Sequence, residues 1–329
     1  SAGQCRPGQR PEVIFVFSGQ GSQWRGMAQR LQKQEPVFCD ALAACDRAMR
    51  PYLGSSVRAE LIAGQLDDIG VIQPAIFAVQ VALATLWRSW GVEPTAVVGH
   101  SLGEAAAAHI AGALSLEDAA RVICARARLL RRVHGRGAML AAEISLAEAQ
   151  ELVAGREGRV TIAASNSHRS TVLSGDRAVL ADLMTALEQR DRFCRFIEVD
   201  VASHGPQMDA LGDDLADLLA GLAPAAPSIP IYSAVTGDLL DRPLDADYWV
   251  AHLRSPVRFS PALRLLLGVG RDTYLEISQH PILLSAIRDD AEDLGRSCTL
   301  LPSMRRDDAG RAPALASLGT LYTLGQPVA

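Results

Sequence analysis

Residues 96–104 read AVVGHSLGE, an apolar run that passes through a glycine-flanked serine into a helical pattern. A strand, then Gly99-His100-Ser101-Leu102-Gly103, then a helix is the context that the motif G-x-S-x-G requires. The glycines permit a sharp turn that projects the serine hydroxyl, and the N-terminus of the helix can stabilise an oxyanion. Ser101 is therefore a candidate nucleophile. The alternative is a tight glycine turn with a structural serine.

A second apolar run predicts the sheet around this strand. Residues 13–17 (VIFVF) are apolar throughout and end in Ser18-Gly19-Gln20-Gly21, as expected for a strand buried on both faces. Such strands are typical of parallel sheets covered by helices. Further strands are predicted at 96–98, 229–235 and 273–277, with helices at 76–90 and 208–222. The predicted fold class is α/β.

The pattern changes between Gly137 and Asp200. Strands are predicted at 138–144, 160–164, 171–173 and 193–199, with helices at 146–153 and 178–190. The order βαββαβ is the split unit of a ferredoxin-like fold. Because the two ends of that unit lie side by side, it can be inserted into a larger α/β body. We expect a small subdomain at 137–202, a large subdomain at 11–136 and 203–300, and a separate tail at 301–329.

The composition excludes several classes of protein. The 329 residues carry 32 Lys and Arg against 37 Asp and Glu, and 49% are hydrophobic, which excludes disorder. The sequence has no long basic run, so nucleic-acid binding is not expected. Six cysteines without C-x-x-C spacing predict reduced thiols, with no metal site. The apolar stretch 105–116 is too short to cross a membrane, and no signal pattern precedes it, so we expect a cytoplasmic protein.

A serine nucleophile needs a base, and His204 is the strongest candidate among seven histidines. It follows a predicted strand and begins a Gly205-Pro206 turn, a loop position typical of ligand sites. The alternative is a structural histidine. His100 adjoins Ser101 but is predicted to point elsewhere.

Arg126 interrupts the apolar face of a predicted helix at 116–133. Its neighbours on that face are Val122, Leu129, Leu130 and Val133. A guanidinium cannot escape burial by losing its proton, so it must pair with an internal carboxylate or with an anionic ligand. Both possibilities stay open at this point. The second implies an acyl group with a free carboxylate.

Four ordered motifs resemble one known family. They are FSGQGSQW at 17–24, GHSLGE at 99–104, GAM at 137–139 and VASH at 201–204. In these motifs the chain from about Pro11 onward is similar to the acyltransferase domain of modular type I polyketide synthases, related to malonyl-CoA:acyl-carrier-protein transacylases. The resemblance implies a hydrolase-like large subdomain with a ferredoxin-like insert, which agrees with the predicted organisation.

The resemblance also implies the reaction and its partners. An extender-unit CoA thioester would acylate Ser101, and the acyl group would then pass to the phosphopantetheine thiol of an acyl carrier protein. No bound cofactor is implied, since acyl-CoA is the donor substrate. The implied partners are the carrier protein, a ketosynthase and other domains of a multidomain synthase. The tail at 301–329 looks like the linker that follows this domain, so we expect an excised domain.

The same resemblance assigns roles to individual residues. His204 matches the base, and Arg126 matches the arginine that binds the extender's carboxylate bidentately. The backbone N–H groups of Gln20 and Leu102 match the oxyanion hole. The backbone carbonyl that orients the imidazole is expected at His252, where Asn is more usual. Little effect is expected from two departures at positions where Pro is usual, Ser18 and Gln279.

Residues 201–204 bear on the extender unit. In the family, H-A-F-H accompanies malonyl and Y-A-S-H accompanies methylmalonyl units. Ser203 leaves open the space that a Phe would fill, and Val201 is smaller than Tyr, so an α-alkylmalonyl unit is expected. Leu102 resembles malonyl-type sequences, and one methylene is worth only about 1–3 kcal/mol, so a malonyl-specific enzyme stays open. Gln73 and Asn166 match pocket-lining residues.

Two further functions remain open from the sequence. A serine hydrolase or editing thioesterase would pass the acyl group to water, although a simple esterase has no need of a buried cation such as Arg126. A catalytically silent docking module would keep only the fold. The presence of both Ser101 and His204 argues against that module.

Overall fold

The computed structural model describes residues 10–64, 66, 68–199, 201–306, 308 and 310–328. Its strands, in chain order, are β1 Val13–Phe17, β2 Ala96–Gly99, β3 Ala138–Ala142, β4 Val160–Ser167, β5 Ser170–Gly175, β6 Cys194–Phe196, β7 Ile231–Ser233, β8 Asp238–Leu239, β9 Val257–Arg258, β10 Thr273–Ile277 and β11 Thr299–Pro302. Its helices are α1 Gln29–Gln34, α2 Pro36–Leu53, α3 Val57–Ala63, α4 Ile69–Ser89, α5 Gly103–Ile110, α6 Leu116–Leu130, α7 Leu146–Val153, α8 Arg177–Glu188, α9 Gly212–Leu219, α10 Ala246–Arg254, α11 Phe259–Gly268, α12 Leu284–Asp293 and α13 Ala312–Thr323.

The larger sheet has the strand order β11-β10-β1-β2-β7-β8. All neighbouring pairs are parallel except the short β7–β8 pair at one edge. Every residue of β1, β2 and β10 is buried, because helices cover both faces, and this explains their unbroken apolar runs. The carboxyl ends of β1 and β2 meet where Phe17 pairs with Gly99, two residues before Ser101. The predicted α/β class is confirmed.

The smaller sheet has the order β6-β3-β5-β4-β9. Its first four strands pair antiparallel in the order of a ferredoxin-like unit, and α7 and α8 cover one face with a core that includes Leu140, Leu173 and Leu180. The fifth strand, β9, pairs parallel with β4 and comes from the later part of the chain. Its two residues gave no recognisable strand pattern. This sheet therefore extends past the expected limit at residue 202.

The end of the chain packs more closely on the large sheet than expected. The predicted boundary at residue 300 falls inside β11, the edge strand of that sheet. Met304 and Leu321 are fully buried, and the Trp87 indole N–H donates to the Ser303 hydroxyl at 2.9 Å. Residues 299–323 thus pack against the large sheet. The sequence pattern does not predict β11, because four strand residues next to a polar loop are too few to show a periodicity.

The longest apolar helix is α4, and not the stretch at 105–116 singled out from the sequence. By length and composition α4 could cross a membrane, but 89% of its most apolar window is buried inside the protein. It packs against α2 and α6. Its buried Gln80 donates from Nε2 to the Ser18 carbonyl at 2.7 Å. The apolar character of α4 is that of a core helix covered by other elements.

Candidate active site

Ser101 lies in the sharp turn between β2 and α5. Its φ of 51° is in the left-handed region, which side-chain-bearing residues rarely adopt. A Cβ on Gly99 would lie 2.3 Å from the Glu104 Cα, and one on Gly103 would lie 2.3 Å from the Phe17 carbonyl oxygen. Only glycine fits at either position. The G-x-S-x-G spacing therefore has a direct steric cause, and the strain holds the serine at the surface of the turn.

His204 contacts the serine directly. Its Nε2 lies 2.7 Å from the Ser101 Oγ, and its Nδ1 lies 2.9 Å from the Ser255 carbonyl oxygen. A carbonyl can only accept, so Nδ1 carries the proton and Nε2 accepts from the hydroxyl. Burial is the main cause, and the positive charge of Arg126 the second, that holds the pKa of His204 well below its usual 6.5. The imidazole is therefore neutral at neutral pH and can accept a proton.

The carbonyl that orients this imidazole belongs to Ser255, so the expectation at His252 is wrong. His252 lies inside α10, whereas Ser255 is the extended residue that caps this helix, and its carbonyl is free to turn outward. The His252 side chain has a different contact. Its Nε2 lies 3.0 Å from the Ser101 carbonyl oxygen, and burial lowers the pKa of His252 to about 3. A neutral ring thus supports the turn from behind.

Arg126 is 4% exposed and lies beside the serine. Its Nη2 donates to the Ser101 Oγ at 3.2 Å, and its Nη1 donates to the Gln73 Oε1 at 2.9 Å. Its Nε is buried without a partner, and no carboxylate in the described part of the chain lies within ion-pair distance of it. Burial lowers the pKa of Arg126 to about 10, so it stays charged at neutral pH. An internal carboxylate partner is therefore not found among these residues.

A cavity of about 440 Å³ lies between the two sheets, within the usual range for a small-molecule site. Its lining includes every residue predicted for the site except His252, which lies behind the turn. These residues are Gln20, Gln73, Ser101, Leu102, Arg126, Asn166, Val201, Ser203 and His204. The structure thus brings together residues that are spread over most of the chain.

The backbone donors assigned by resemblance border this cavity. No hydrogen bond from the N–H of Gln20 or of Leu102 to another described residue is found. Leu102 directly precedes α5, whose N-terminus carries partial positive charge. Two unengaged N–H groups next to Ser101 can stabilise negative charge on an oxygen bound there.

The His100 ring contacts a residue other than Ser101, in agreement with the prediction that it points elsewhere, although it also lines the cavity. Its Nε2 lies 2.8 Å from the Asn166 Oδ1, which connects the serine turn to β4 of the small sheet. Burial lowers the pKa of His100, so this ring is also neutral. No contact with the Ser101 Oγ is found, which leaves His204 as the histidine in contact with the serine hydroxyl among the described residues.

Behind the serine turn lies a buried polar cluster that the sequence did not indicate. The Tyr248 hydroxyl donates to the Glu104 Oε1, and the Tyr248 and Ser233 hydroxyls lie 2.6 Å apart. Burial raises the pKa of Glu104 to about 7. An acidic residue in the first turn of a helix usually favours solvent and the helix dipole, so Glu104 gave no sign of burial. The cluster fixes the start of α5 from the side opposite the cavity.

Gln279 holds the loop that carries Gln20, although little was expected of it. It is fully buried, and its Oε1 accepts from the Ser22 hydroxyl at 2.8 Å. Its carbonyl accepts from the Trp24 indole at 3.0 Å, and its Nε2 donates to the Ile76 carbonyl at 3.0 Å. A proline there could make neither side-chain bond. Gln279 therefore joins the ends of β1 and β10 to α4.

Metal-ligating groups do not cluster in the described ranges, where no three His, Cys, Asp or Glu side chains come together. The thiols of Cys39, Cys45, Cys124, Cys194 and Cys298 are free. Cys5 lies outside the described residues. Burial raises the pKa of the Cys45 and Cys124 thiols to about 12, so both are protonated and unreactive.

A strained serine on a strand-turn-helix unit, in contact with a neutral histidine, is the arrangement of serine-dependent acyl transfer. The chain matches the acyl transferase domain family over residues 14–327, and it belongs to that family.

Relatives and solved structures agree with this assignment. The chain is 42% identical over 329 residues to erythronolide synthase EryA3 of Saccharopolyspora erythraea, and the match covers 98% of this chain but 10% of that protein. It is 43% identical to the spectinabilin polyketide synthase system protein NorA of Streptomyces orinoci, with 97% and 17% covered. The chain therefore spans a small part of these relatives.

The acyltransferase domain from module 8 of the salinomycin polyketide synthase has a TM-score of 0.94 at 41% identity, covering 96% of this chain and 76% of that one. The acyltransferase domain of SpnD, solved as a complex with 2-(pent-4-yn-1-yl)malonyl, has a TM-score of 0.88 at 30% identity, covering 97% and 78%. The resemblance to acyltransferase domains of modular polyketide synthases is confirmed.

Proposed function

We propose that this chain transfers an extender unit from CoA to an acyl carrier protein by a two-step reaction on Ser101. The observation that carries the proposal is the position of the Ser101 Oγ, which lies 2.7 Å from the His204 Nε2 and 3.2 Å from the Arg126 Nη2. A histidine base and an arginine cation that both contact one serine hydroxyl fit a thioester substrate that also carries an anionic group. Ser101 and His204 would carry out the acyl transfer, and Arg126 would select substrates with a carboxylate.

In the first step, His204 Nε2 takes the hydroxyl proton as the Ser101 Oγ attacks the thioester carbonyl carbon. The carbonyl oxygen becomes negatively charged and accepts from the N–H groups of Gln20 and Leu102. Collapse expels the CoA thiolate, which receives the proton from His204. In the second step the carrier's phosphopantetheine thiol gives its proton to His204, its sulfur attacks the acyl ester, and Ser101 leaves with that proton. The second step thus uses the same serine and histidine as the first, with the proton transfers in the opposite direction.

Arg126 would bind the carboxylate of the extender unit. Its Nε has no partner, and its Nη2 donates to the Ser101 Oγ. When a carboxylate takes the place of the serine hydroxyl as acceptor, these two N–H groups can bind it bidentately. Gln73 holds the remaining Nη1 and so fixes the plane of the guanidinium. A hydrolase acting on simple esters gains nothing from a buried cation, which favours transfer of a dicarboxylic acyl group.

The favoured extender is an α-alkylmalonyl unit, methylmalonyl or larger. Val201 and Ser203 line the cavity together with Ala141 and Ala164, so several of its lining side chains are small. SpnD, at 30% identity, was solved with a long-branched malonyl group. Leu102, which lines the cavity and resembles malonyl-type sequences, supports the second candidate, a malonyl-specific enzyme.

The proposal also covers the partners of the chain, its compartment and its domain bounds. Relatives many times longer than this chain support an acyl carrier protein, a ketosynthase and other synthase domains as partners in the cytoplasm. The division into a large subdomain at 11–136 and 203–300, a small subdomain at 137–202 and a linker at 301–329 is also retained. The packing of β9 and β11 adds contacts across two of those limits.

The proposal is tested by intact-protein mass spectrometry after brief incubation with equimolar malonyl-, methylmalonyl-, ethylmalonyl-, longer alkylmalonyl- and acetyl-CoA. We expect a branched malonyl adduct that maps to Ser101 and disappears when carrier protein is added. A malonyl adduct alone would keep the transferase and overturn the branched extender. Free acid without an adduct, at the same rate with or without carrier protein, would favour the hydrolase.

Ser203→Phe tests the extender assignment separately. A ring at this position fills the space next to the α-carbon, so we expect the ratio of methylmalonyl to malonyl acylation to fall by about tenfold or more. The ratio of acylation rates from a competition experiment measures it. Ser203→Ala, which adds no bulk, is the matched control and is expected to keep the wild-type ratio. An unchanged ratio in Ser203→Phe would place the branch elsewhere in the cavity.

A further inference from the structure

One row of residues crosses the small sheet on the face that borders the cavity. In register from strand to strand, Val257 of β9 pairs with Ala164 of β4, Ala164 with Val172 of β5, Val172 with Ala141 of β3, and Ala141 with Arg195 of β6. All five residues line the cavity. The row therefore forms one continuous wall of the cavity across all five strands.

The inner end of this wall is next to the reacting atoms. Val257 follows Ser255 by two residues, and the Ser255 carbonyl holds His204. Four strand spacings of about 4.8 Å separate Val257 from Arg195, so the wall is roughly 19 Å long. Between its ends it presents only small apolar side chains. Such a wall suits a long uncharged chain that extends from the serine toward solvent.

The outer end of the wall is cationic. Arg195 is exposed, and within the described ranges its side chain makes no hydrogen bond or ion pair. Arg169 also lines the mouth, but its Nη2 lies 2.8 Å from the Asp289 Oδ1 and its Nη1 lies 3.6 Å from the Glu143 Oε1. Arg169 is thus neutralised by its neighbours, whereas Arg195 retains its full set of donors for a ligand.

We propose that Arg195 binds the phosphate at the far end of the pantetheine arm. The inference rests on the proposed function, because CoA and the phosphopantetheine of a carrier protein share this arm and its 4′-phosphate. The arm is uncharged between its sulfur and that phosphate, which fits the apolar wall. A guanidinium binds phosphate bidentately. Arg126 and Arg195 would therefore hold the two charged ends of one extended substrate, with Ser101 at the thioester between them.

The test compares Arg195→Ala with the wild type on one extender unit, the one that labels the wild type best, carried on four thiols. These are CoA, dephospho-CoA, 4′-phosphopantetheine and pantetheine. We expect kcat/KM to fall by about tenfold with the three carriers that hold the 4′-phosphate, and to be unchanged with pantetheine. A loss confined to CoA would assign Arg195 to the 3′-phosphate and overturn the proposal. An equal loss with all four carriers would mean a structural role, and no loss with any would also overturn it.

Arg192→Ala is the matched control. Arg192 lies three residues away, pairs with the Glu148 Oε1 at 2.9 Å and is not part of the cavity lining, so all four donors should react as in the wild type. Calorimetric binding of 4′-phosphopantetheine and of pantetheine gives a readout without turnover. A wild-type preference for the phosphorylated compound that is lost in Arg195→Ala supports the site even if no acyl-enzyme forms. Absence of that preference in the wild type would contradict it, while acylation by all carriers would still support the transferase.

Discussion

Arg126 at the inner end of the cleft and Arg169 at its mouth are paired in opposite ways. Arg126 is buried, and its partners are an amide and a hydroxyl, with one N–H left over. Arg169 is half exposed and pairs with two carboxylates. Arg169, which water can solvate, is nevertheless paired with carboxylates. Arg126, which is buried away from water, has no carboxylate partner among the described residues.

This difference follows from what each region does with its charge. An exposed ion pair contributes about 0–1 kcal/mol and mainly orients surface groups. A buried cation without a counter-ion is costly to the fold, so it is retained only where a ligand supplies the missing anion. Arg126 therefore keeps unused hydrogen-bonding capacity for a substrate, while Arg169 uses its own on neighbouring carboxylates. Substitutions at the two ends should differ accordingly.

The largest expected effect is at the reacting atom itself. Ser101→Ala removes the proposed nucleophile while the turn and its glycines remain, so acyl-enzyme formation should fall by about three orders of magnitude or more. Mass spectrometry after incubation with an extender CoA measures the adduct. Ser285→Ala, a serine that also lines the cavity, should still be labelled. Labelling of the Ser101→Ala variant at the wild-type level would assign the nucleophile to another residue.

Arg126→Gln should have the next largest effect and sharpens the contrast with the mouth. It removes the proposed bidentate partner of the extender's carboxylate, so the preference for a malonyl-type donor over acetyl-CoA should fall by about 100-fold. Arg169→Gln removes only an exposed ion pair and should change this preference by less than about threefold. The ratio of kcat/KM values for the two donors is the measurement. Equal changes in both variants would remove the distinction between the two ends.

The smallest effect concerns stability, and it depends on pH. Because burial raises the pKa of Glu104 from 4.5 to about 7, the folded state holds a proton that the unfolded state releases between these pH values. Wild-type stability should therefore fall as pH rises from about 4.5 to 7. Glu104→Gln cannot ionise, so its free energy of unfolding relative to wild type should improve by about 1–3 kcal/mol between pH 5 and 8. Denaturant unfolding at both pH values measures this, and a constant difference would mean that Glu104 does not titrate in this range.

The parts of the fold that could be predicted from the sequence are those with dense local patterns. β1 and β10 were predicted with their observed limits, because strands buried on both faces read as unbroken apolar runs. β9 was missed, since two residues carry no periodicity. Its pairing with β4 joins segments nearly a hundred residues apart, and such contacts depend on tertiary packing that local patterns do not report.

The candidate site divides in the same way. Ser101 could be found because glycine spacing records a steric need, and Arg126 because a charge inside an apolar stripe is visible in one helix. The Ser255 carbonyl could not be located, since every residue has such a group and only the end of α10 frees this one. Nor did any local signal reveal that the His252 ring supports the serine turn from behind.

One strand of the small sheet also connects the two sheets mechanically. β9 begins two residues after Ser255, and it is the strand that attaches the small sheet to the later part of the chain. Any rotation that widens the cleft by separating β9 from β4 pulls on the segment whose carbonyl orients His204. The alignment of the imidazole with the serine is thus coupled to the closure of the cleft, and an over-opened form would lose its base before it lost its nucleophile.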